Sequence, residues 1–342
     1  MESIMKISLA RFSALALAAS VLAATALASS AHAQESDGIV VYNAQHESLG
    51  REWIDAFTKQ TGIKVTMRQG SDMQFANQIV QEGDASPADV FLTENSPAMA
   101  LVDSAGLFAP VDKETLDLVP AQYRPADGMW TGIAARSTVF VYDKTKLTED
   151  KLPKSMLDLA DPAWKGRWGA SPAGADFQAI VGALLQLKGE EATVQWLKAM
   201  KENATPYKGN SIAMKAVNAG EVEGALIYHY YWFGDQAKTG ENSKNVGLHY
   251  FKNQDPGAFV SVSGGGILKS TQHMKEAQAF LKFVAGKAGQ DILKNGTSYE
   301  YAVSGQSNDK LVPLADLNAP KVEASELDSK KVVELMTAAG LI

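Results

Sequence analysis

Hydrophobic and polar positions along this chain switch between two periods. Short runs rich in β-branched and aromatic residues at 39–42, 63–67 and 88–93 have the pattern of strands. Between them, Leu49, Trp53 and Phe57 recur every four residues, and Ala76, Ile79 and Val80 mark the buried face of a second helix. Ser48 is a candidate cap for the first helix and Ser71 or Asp72 for the second, with Gly62 and Gly83 as stops. Ser96-Pro97 opens a third helix, with proline where the first turn tolerates it. Strand–helix–strand–helix–strand predicts a parallel sheet covered by helices. Ligands of such sheets bind beyond the carboxyl ends of the strands, and His46 and Glu94 follow two of those ends.

The pattern then loosens. Residues 106–128, with Pro110, Pro120 and Pro125, read as a loop or crossover, and 132–142 as an extended stretch long enough to run from one lobe into another. Residues 154–168 suggest a short helix and a turn. The small residues from Gly169 to Ala175 open a helix over 177–187, and a second helix covers 190–201. Asn210-Ser211 caps a helix over 212–219. The apolar run 224–227 predicts a strand that closes on Tyr228-His229-Tyr230-Tyr231-Trp232. Strands at 246–251 and 258–262, a glycine-rich turn at 263–266, an amphipathic helical stretch at 273–295 and a final helix or two within 323–341 complete the chain. No repeat of solenoid period is present.

The first residues differ from the rest. Lys6 and Arg11 precede the Ala/Leu/Val run of 12–28, and Ala31-His32-Ala33 follows, the order of a secretory signal cut after Ala33. The remaining chain has no second run apolar enough to span a bilayer. The whole sequence of 342 residues, 46% of them hydrophobic, suffices for two globular lobes. Cysteine is absent, which removes disulfides, thiolate catalysis and cysteine-based metal sites. A formal charge of −7 without a basic tract gives nucleic acid no footprint.

Taken singly, the candidate residues have ordinary explanations. Adjacent tyrosines pack, a loop histidine is solvated, and Glu94 beside Ser96 favours a helix start. Together, His46, Glu94, Tyr230 and Tyr231 offer an imidazole, a carboxylate and two phenolates at predicted strand ends. Those are hard oxygen donors with one borderline nitrogen. Zinc prefers more His or Cys, and calcium prefers carboxylates and carbonyls. Free tyrosine ionises near pH 10, so the cation must displace its proton, which a trivalent ion does best. Fe3+ with two phenolates and one carboxylate is formally neutral, which limits the cost of burial. Gly174-Ala175 at a helix start is a possible anion cradle or an ordinary loop, and Asn210 an anion contact or an N-cap. No Gly-x-Ser-x-Gly elbow or P-loop is present, and no enzyme activity is expected.

At these residues the chain resembles the periplasmic ferric-ion-binding proteins, the solute receptors of iron ABC importers. The likeness rests on Val-Tyr-Asn-Ala-Gln-His at 41–46, Ala-Asp-Val-Phe-Leu-Thr-Glu at 88–94 and Ala-Leu-Ile-Tyr-His-Tyr-Tyr-Trp at 225–232, supported by 136–143 and 263–269. The resemblance implies an α/β type II periplasmic binding protein with two mixed-sheet lobes, hinge-connected, and the ligand in the cleft. The first lobe would comprise 34–137 and 262–315, the second 138–261, with 316–342 a C-terminal helical segment. His46 and Glu94 would come from the first lobe and Tyr230 and Tyr231 from the second, closing on Fe3+. A synergistic phosphate or carbonate would be held by Asn95, Gly174, Ala175 and Asn210, with Arg136 a further contact and Tyr142 a possible extra ligand. Ala173, Tyr228 and Ser298 stand where family members carry serine, asparagine and arginine, and Asn95 where they carry glutamine. The implied protein is a monomeric periplasmic receptor serving an inner-membrane ABC permease and ATPase. The rivals are the same fold binding a polyamine or phosphonate, and a secreted metal-dependent phosphoesterase.

Overall fold

The computed structural model describes residues 38–342, so the export-signal reading of 1–33 lies outside the described residues. Strand β1 (Ile39–Asn43) leads into helix α1 (Glu47–Thr61), strand β2 (Val65–Gln69), helix α2 (Asp72–Glu82), strand β3 (Val90–Leu92) and helix α3 (Ser96–Ser104). β1 pairs in parallel with β2 on one side and with β3 on the other. Period-two alternation sorts its side chains: Val41 joins the core of Trp53, Phe57 and Phe280, and Tyr42 the opposite core of Phe75, Phe91 and Trp130. Two details differ from the sequence reading. His46, not Ser48, is the cap residue of α1. Val80 is exposed, because α2 buries only Asp72, Phe75, Ala76 and Ile79.

The long extended stretch is strand β5 (Trp130–Asp143), reached through β4 (Phe108–Ala109) and a short helix α4 (Lys113–Leu116). Beyond it lie β6 (Trp168–Ala170), helix α5 (Ala175–Asn203), β7 (Ala204–Pro206), α6 (Asn210–Asn218), β8 (Gly224–Tyr228), α7 (Tyr230–Lys238), β9 (Val246–His249) and β10 (Val260–Leu268). Helices α8 (Met274–Ala285), α9 (Lys287–Asn295) and α10 (Ser329–Ala338) follow. The strand order is β2-β1-β3-β10-β5-β8-β6-β7, with β4 also on β10 and β9 also on β5. β5 changes partners midway. Up to Ser137 it pairs with β10, and from Thr138 onward with β8. The two ends of the strand order are thus mixed sets joined through one strand.

α5 holds the two helices expected there, separated at Gly189, whose φ of 80° only glycine adopts readily. The C-terminal α10 buries Val332, Leu335 and Met336, with Val332 and Leu327 against Gly182 of α5. Among the described residues no helix is long and apolar enough to cross a membrane.

The glycine-rich 263–266 stretch is not a turn but the middle of β10, central in the sheet. Close packing is the reason. A Cβ on Gly265 would lie 2.6 Å from Leu281, and one on Gly266 2.5 Å from Phe108. Overpacking of this kind typically costs about 1–3 kcal/mol. Gly265→Val is therefore expected to lower unfolding free energy by about that amount, read from the midpoint of a urea titration at unchanged slope.

Candidate metal centre

Each candidate residue follows the carboxyl end of a strand. β1 delivers His46, β3 delivers Glu94, and β8 delivers Tyr230 and Tyr231. The structure brings all four together. His46 Nε2 lies 2.6 Å from Glu94 Oε1. The His46 ring meets the Tyr230 ring edge-on at 4.8 Å between centroids, and Tyr230 and Tyr231 are 4.4 Å apart. The tyrosine pair does not close a strand as expected. β8 ends at Tyr228, His229 turns into αR backbone, and both tyrosines occupy the first turn of α7. This placement matters, because neighbouring strand residues point to opposite faces, whereas here, at the start of α7, both hydroxyls reach one point.

That point is held by Asp176, a residue the sequence reading passed over. Its Oδ2 accepts hydrogen bonds from Tyr230 OH (3.2 Å), Tyr231 OH (3.0 Å) and Asn210 Nδ2 (2.8 Å). Its Oδ1 accepts from Asn95 Nδ2 at 2.9 Å. Asn95 and Asn210, expected to hold an anion, thus hold a carboxylate of the chain itself. Asn210 is the first residue of α6 and makes no capping bond. Gly174 and Ala175 form the turn into α5 and line the same cavity as Asp176. Asp72, also overlooked, accepts from the backbone N–H groups of Glu94 (2.8 Å) and Asn95 (2.9 Å) and so fixes the loop after β3.

Arg136 is fully buried on β5. Its Nη2 donates to Ser263 Oγ at 2.7 Å and pairs with the Glu300 carboxylate. Its guanidinium carbon lies 5.6 Å from the centroid of the Tyr230 ring. Tyr142 is not brought to this point. Thr138 pairs with Tyr228, whereas Tyr142 pairs with Gly224, four residues further along β5 and so roughly 13 Å away at the usual rise.

His46 and Tyr231 line both of two open cavities. One, of about 510 Å³, also takes in Glu94, Asp176, Gln69 and Lys208; the other, of about 590 Å³, takes in Tyr230, Lys215, Lys238 and Ser298. Four acids, Asp72, Glu94, Asp176 and Glu300, crowd this region around one guanidinium. Helix ends offset the imbalance. The N-termini of α1, α2, α3, α5, α6 and α7 all start here, and none of their cap residues makes a side-chain capping bond. Their free N–H groups and positive dipole ends favour anionic side chains.

The ionisation of these groups reflects burial first. Burial, then the Glu94 charge, pushes Asp72 up to about 8 and also raises Asp176. Burial, then Asp176, holds the hydroxyls of Tyr230 and Tyr231 well above the usual tyrosine range. For His46 burial favours the neutral ring, but Glu300 and Glu94 outweigh it and carry the pKa to about 10. For Glu300 burial works upward, and Arg136 and His46 outweigh it, giving about 2. Among the described residues no group of three His, Cys, Asp or Glu side chains is placed to hold a metal.

Comparisons with known proteins agree with this architecture. Residues 85–325 match the family described as bacterial extracellular solute-binding protein. The chain is 64% identical over 340 residues to the Fe(3+)-binding periplasmic protein of Serratia marcescens, covering 99% of this chain and 100% of that one. It is 40% identical over 308 residues to the major ferric iron-binding protein of Neisseria meningitidis serogroup B, covering 89% and 93%. The crystal structure of iron-bound HitA from Pseudomonas aeruginosa superposes with a TM-score of 0.84 at 42% identity, covering 89% of this chain and 99% of that one. The mixed sheet with flanking helices is the type II periplasmic binding protein fold. The chain belongs to the bacterial extracellular solute-binding protein family.

Proposed function

We propose that this protein is the periplasmic receptor of a ferric-iron ABC importer, with His46, Glu94, Tyr230 and Tyr231 as donors to Fe3+. The observation that carries this reading is the convergence of an imidazole, a carboxylate and two phenols, from three distant stretches of chain, around one point between two open cavities. The named functions of the Serratia and Neisseria relatives support it. They also support a binding role rather than turnover, a periplasmic location, and an ABC permease and ATPase as partners. Residues 34–137 with 262–315, and 138–261, act as the two lobes; the change of β5 partners between Ser137 and Thr138 supports that division.

Asp176 serves in place of a synergistic anion. It already occupies the side chains of Asn95 and Asn210 and the hydroxyls of both tyrosines. Two phenolates, Glu94 and Asp176 bring one more negative charge than Fe3+ neutralises, and the converging helix N-termini accommodate the excess.

Apoprotein mixed with chelated Fe3+ should develop a visible phenolate-to-iron charge-transfer band. Tyr230→Phe and Tyr231→Phe should each weaken that band and lower affinity by about 3 kcal/mol or more, on the order of 100-fold. A colourless mixture and unchanged affinity in both variants would refute the assignment.

Proton release gives a second check. With His46 at about 10 and both hydroxyls raised, all three are protonated at neutral pH. Iron uptake in weak buffer should therefore expel one proton from each of Tyr230, Tyr231 and His46, about three in all, measured by back-titration. Mass action then weakens binding as pH falls. Iron held tightly near pH 4 would contradict this donor set.

The role of Asp176 predicts that iron affinity of the unaltered protein is indifferent to added phosphate or carbonate. Asp176→Ala should bind more weakly and become dependent on such an anion, in a competition titration with and without it. The opposite pattern, anion dependence before the substitution and none gained after it, rules the role out.

A further inference from the structure

Glu300 is fully buried and lines neither of the two cavities, so it does not face the point where the ion binds. It stands behind His46 instead. Glu300 Oε1 lies 3.0 Å from His46 Nδ1, while Nε2 of the same ring lies 2.6 Å from Glu94. An imidazole that binds a metal offers one nitrogen lone pair, and the partner of the other nitrogen decides which one. Both ring nitrogens face a carboxylate before an ion arrives; Glu94 is itself a donor to the ion, so Glu300 is the carboxylate left to keep a proton, at Nδ1, and Nε2 is the nitrogen that gives up its own.

Glu300 is itself tightly held. Arg136 pairs with its Oε2, Gln45 Nε2 donates to the same oxygen at 3.2 Å, and Ser263 Oγ lies at 3.5 Å. Gln45 closes the loop by accepting from the backbone N–H of His46 at 2.7 Å. The flanking residues extend the arrangement. Tyr301 pairs with Ala135 of β5 as an isolated bridge, and the Tyr299 carbonyl lies 2.8 Å from Nε2 of His229, which immediately precedes the tyrosine pair. Tyr299 itself sits at a φ of 56°, a backbone conformation rare for a bulky residue and sustained here by those contacts. One tripeptide therefore touches both sets of donors: Glu300 the histidine, Tyr299 the turn that aims the tyrosines.

We propose that Glu300, anchored by Arg136, is a positioning residue that fixes the tautomer and aim of His46 so that Nε2 meets the incoming ion. The inference rests on the reading of His46 as an iron donor. A plain counter-ion for Arg136 would need no contact with His46, so the two roles make different predictions.

The test uses the mature protein loaded with Ga3+, a diamagnetic stand-in for Fe3+, and long-range ¹H–¹⁵N spectra of the histidine rings. The expected spectrum has His46 protonated at Nδ1 and coordinated through Nε2; the reverse tautomer overturns the proposal. Glu300→Ala should lower Fe3+ affinity by about 10- to 100-fold, with the charge-transfer band still present because the tyrosines remain. Glu300→Gln, whose amide oxygen can accept the same bond, should recover part of the loss. In a His46→Ala background, Glu300→Ala should cost nothing further. An equal cost in both backgrounds makes Glu300 merely structural and overturns the proposal. Should His46→Ala alone leave affinity unchanged, the donor reading of His46 fails, and the positioning role with it. The spectrum of the unaltered protein decides the matter even where a variant does not fold.

Discussion

Excess negative charge, buried in one place, is the constraint that the rest of this structure answers. Asp72, Glu94, Asp176 and Glu300 crowd around one fully buried guanidinium, Arg136, and the protonated ring of His46. Isolated carboxylates would neutralise by taking up protons at such a site. Asp72 and Asp176 lean in that direction, while Glu300, paired with Arg136 and His46, stays ionised. The remainder is met by backbone. Parallel strands end where helices begin, so a sheet of this topology gathers helix N-termini at one rim. Here none of those termini at the site spends its N–H groups on its own cap side chain. The fold supplies positive potential before any cation arrives.

β5 gives that rim its two sides. Its first part belongs with β10 and its second with β8, so Arg136 and Thr138 stand at the change of partners. Arg136 contacts the Glu300 carboxylate behind His46 and also lies over the Tyr230 ring. A single guanidinium is thereby shared by the histidine side and the tyrosine side of the centre. Cation–π contact of this kind is worth about 0.5–2 kcal/mol, enough to favour one ring position without locking it.

How much of this was legible beforehand depended on whether a residue's chemistry is local. His46 and Glu94 could be read because each follows a short β-branched run, and strand ends are where such sheets bind ligands. Tyr230 and Tyr231 could be read as a pair, but not as a helical turn: an apolar run says where a strand starts better than where it stops. Asp176 was invisible for a plain reason. It is one of 39 acidic residues, and only folding reveals that two tyrosines and two asparagines point at it. The glycines of β10 were misread because Leu281 and Phe108, remote in sequence, are what require them. Tyr142 was misplaced because strand register, not residue type, sets its distance from the site.

His46 and Tyr231 each border both cavities, so the centre has two mouths rather than one. An ion held by the proposed donors would border both cavities. If iron is bound there as proposed, a competing chelator would have an approach from each cavity while donors of the protein still hold the ion, so exchange through a mixed complex would be open to it.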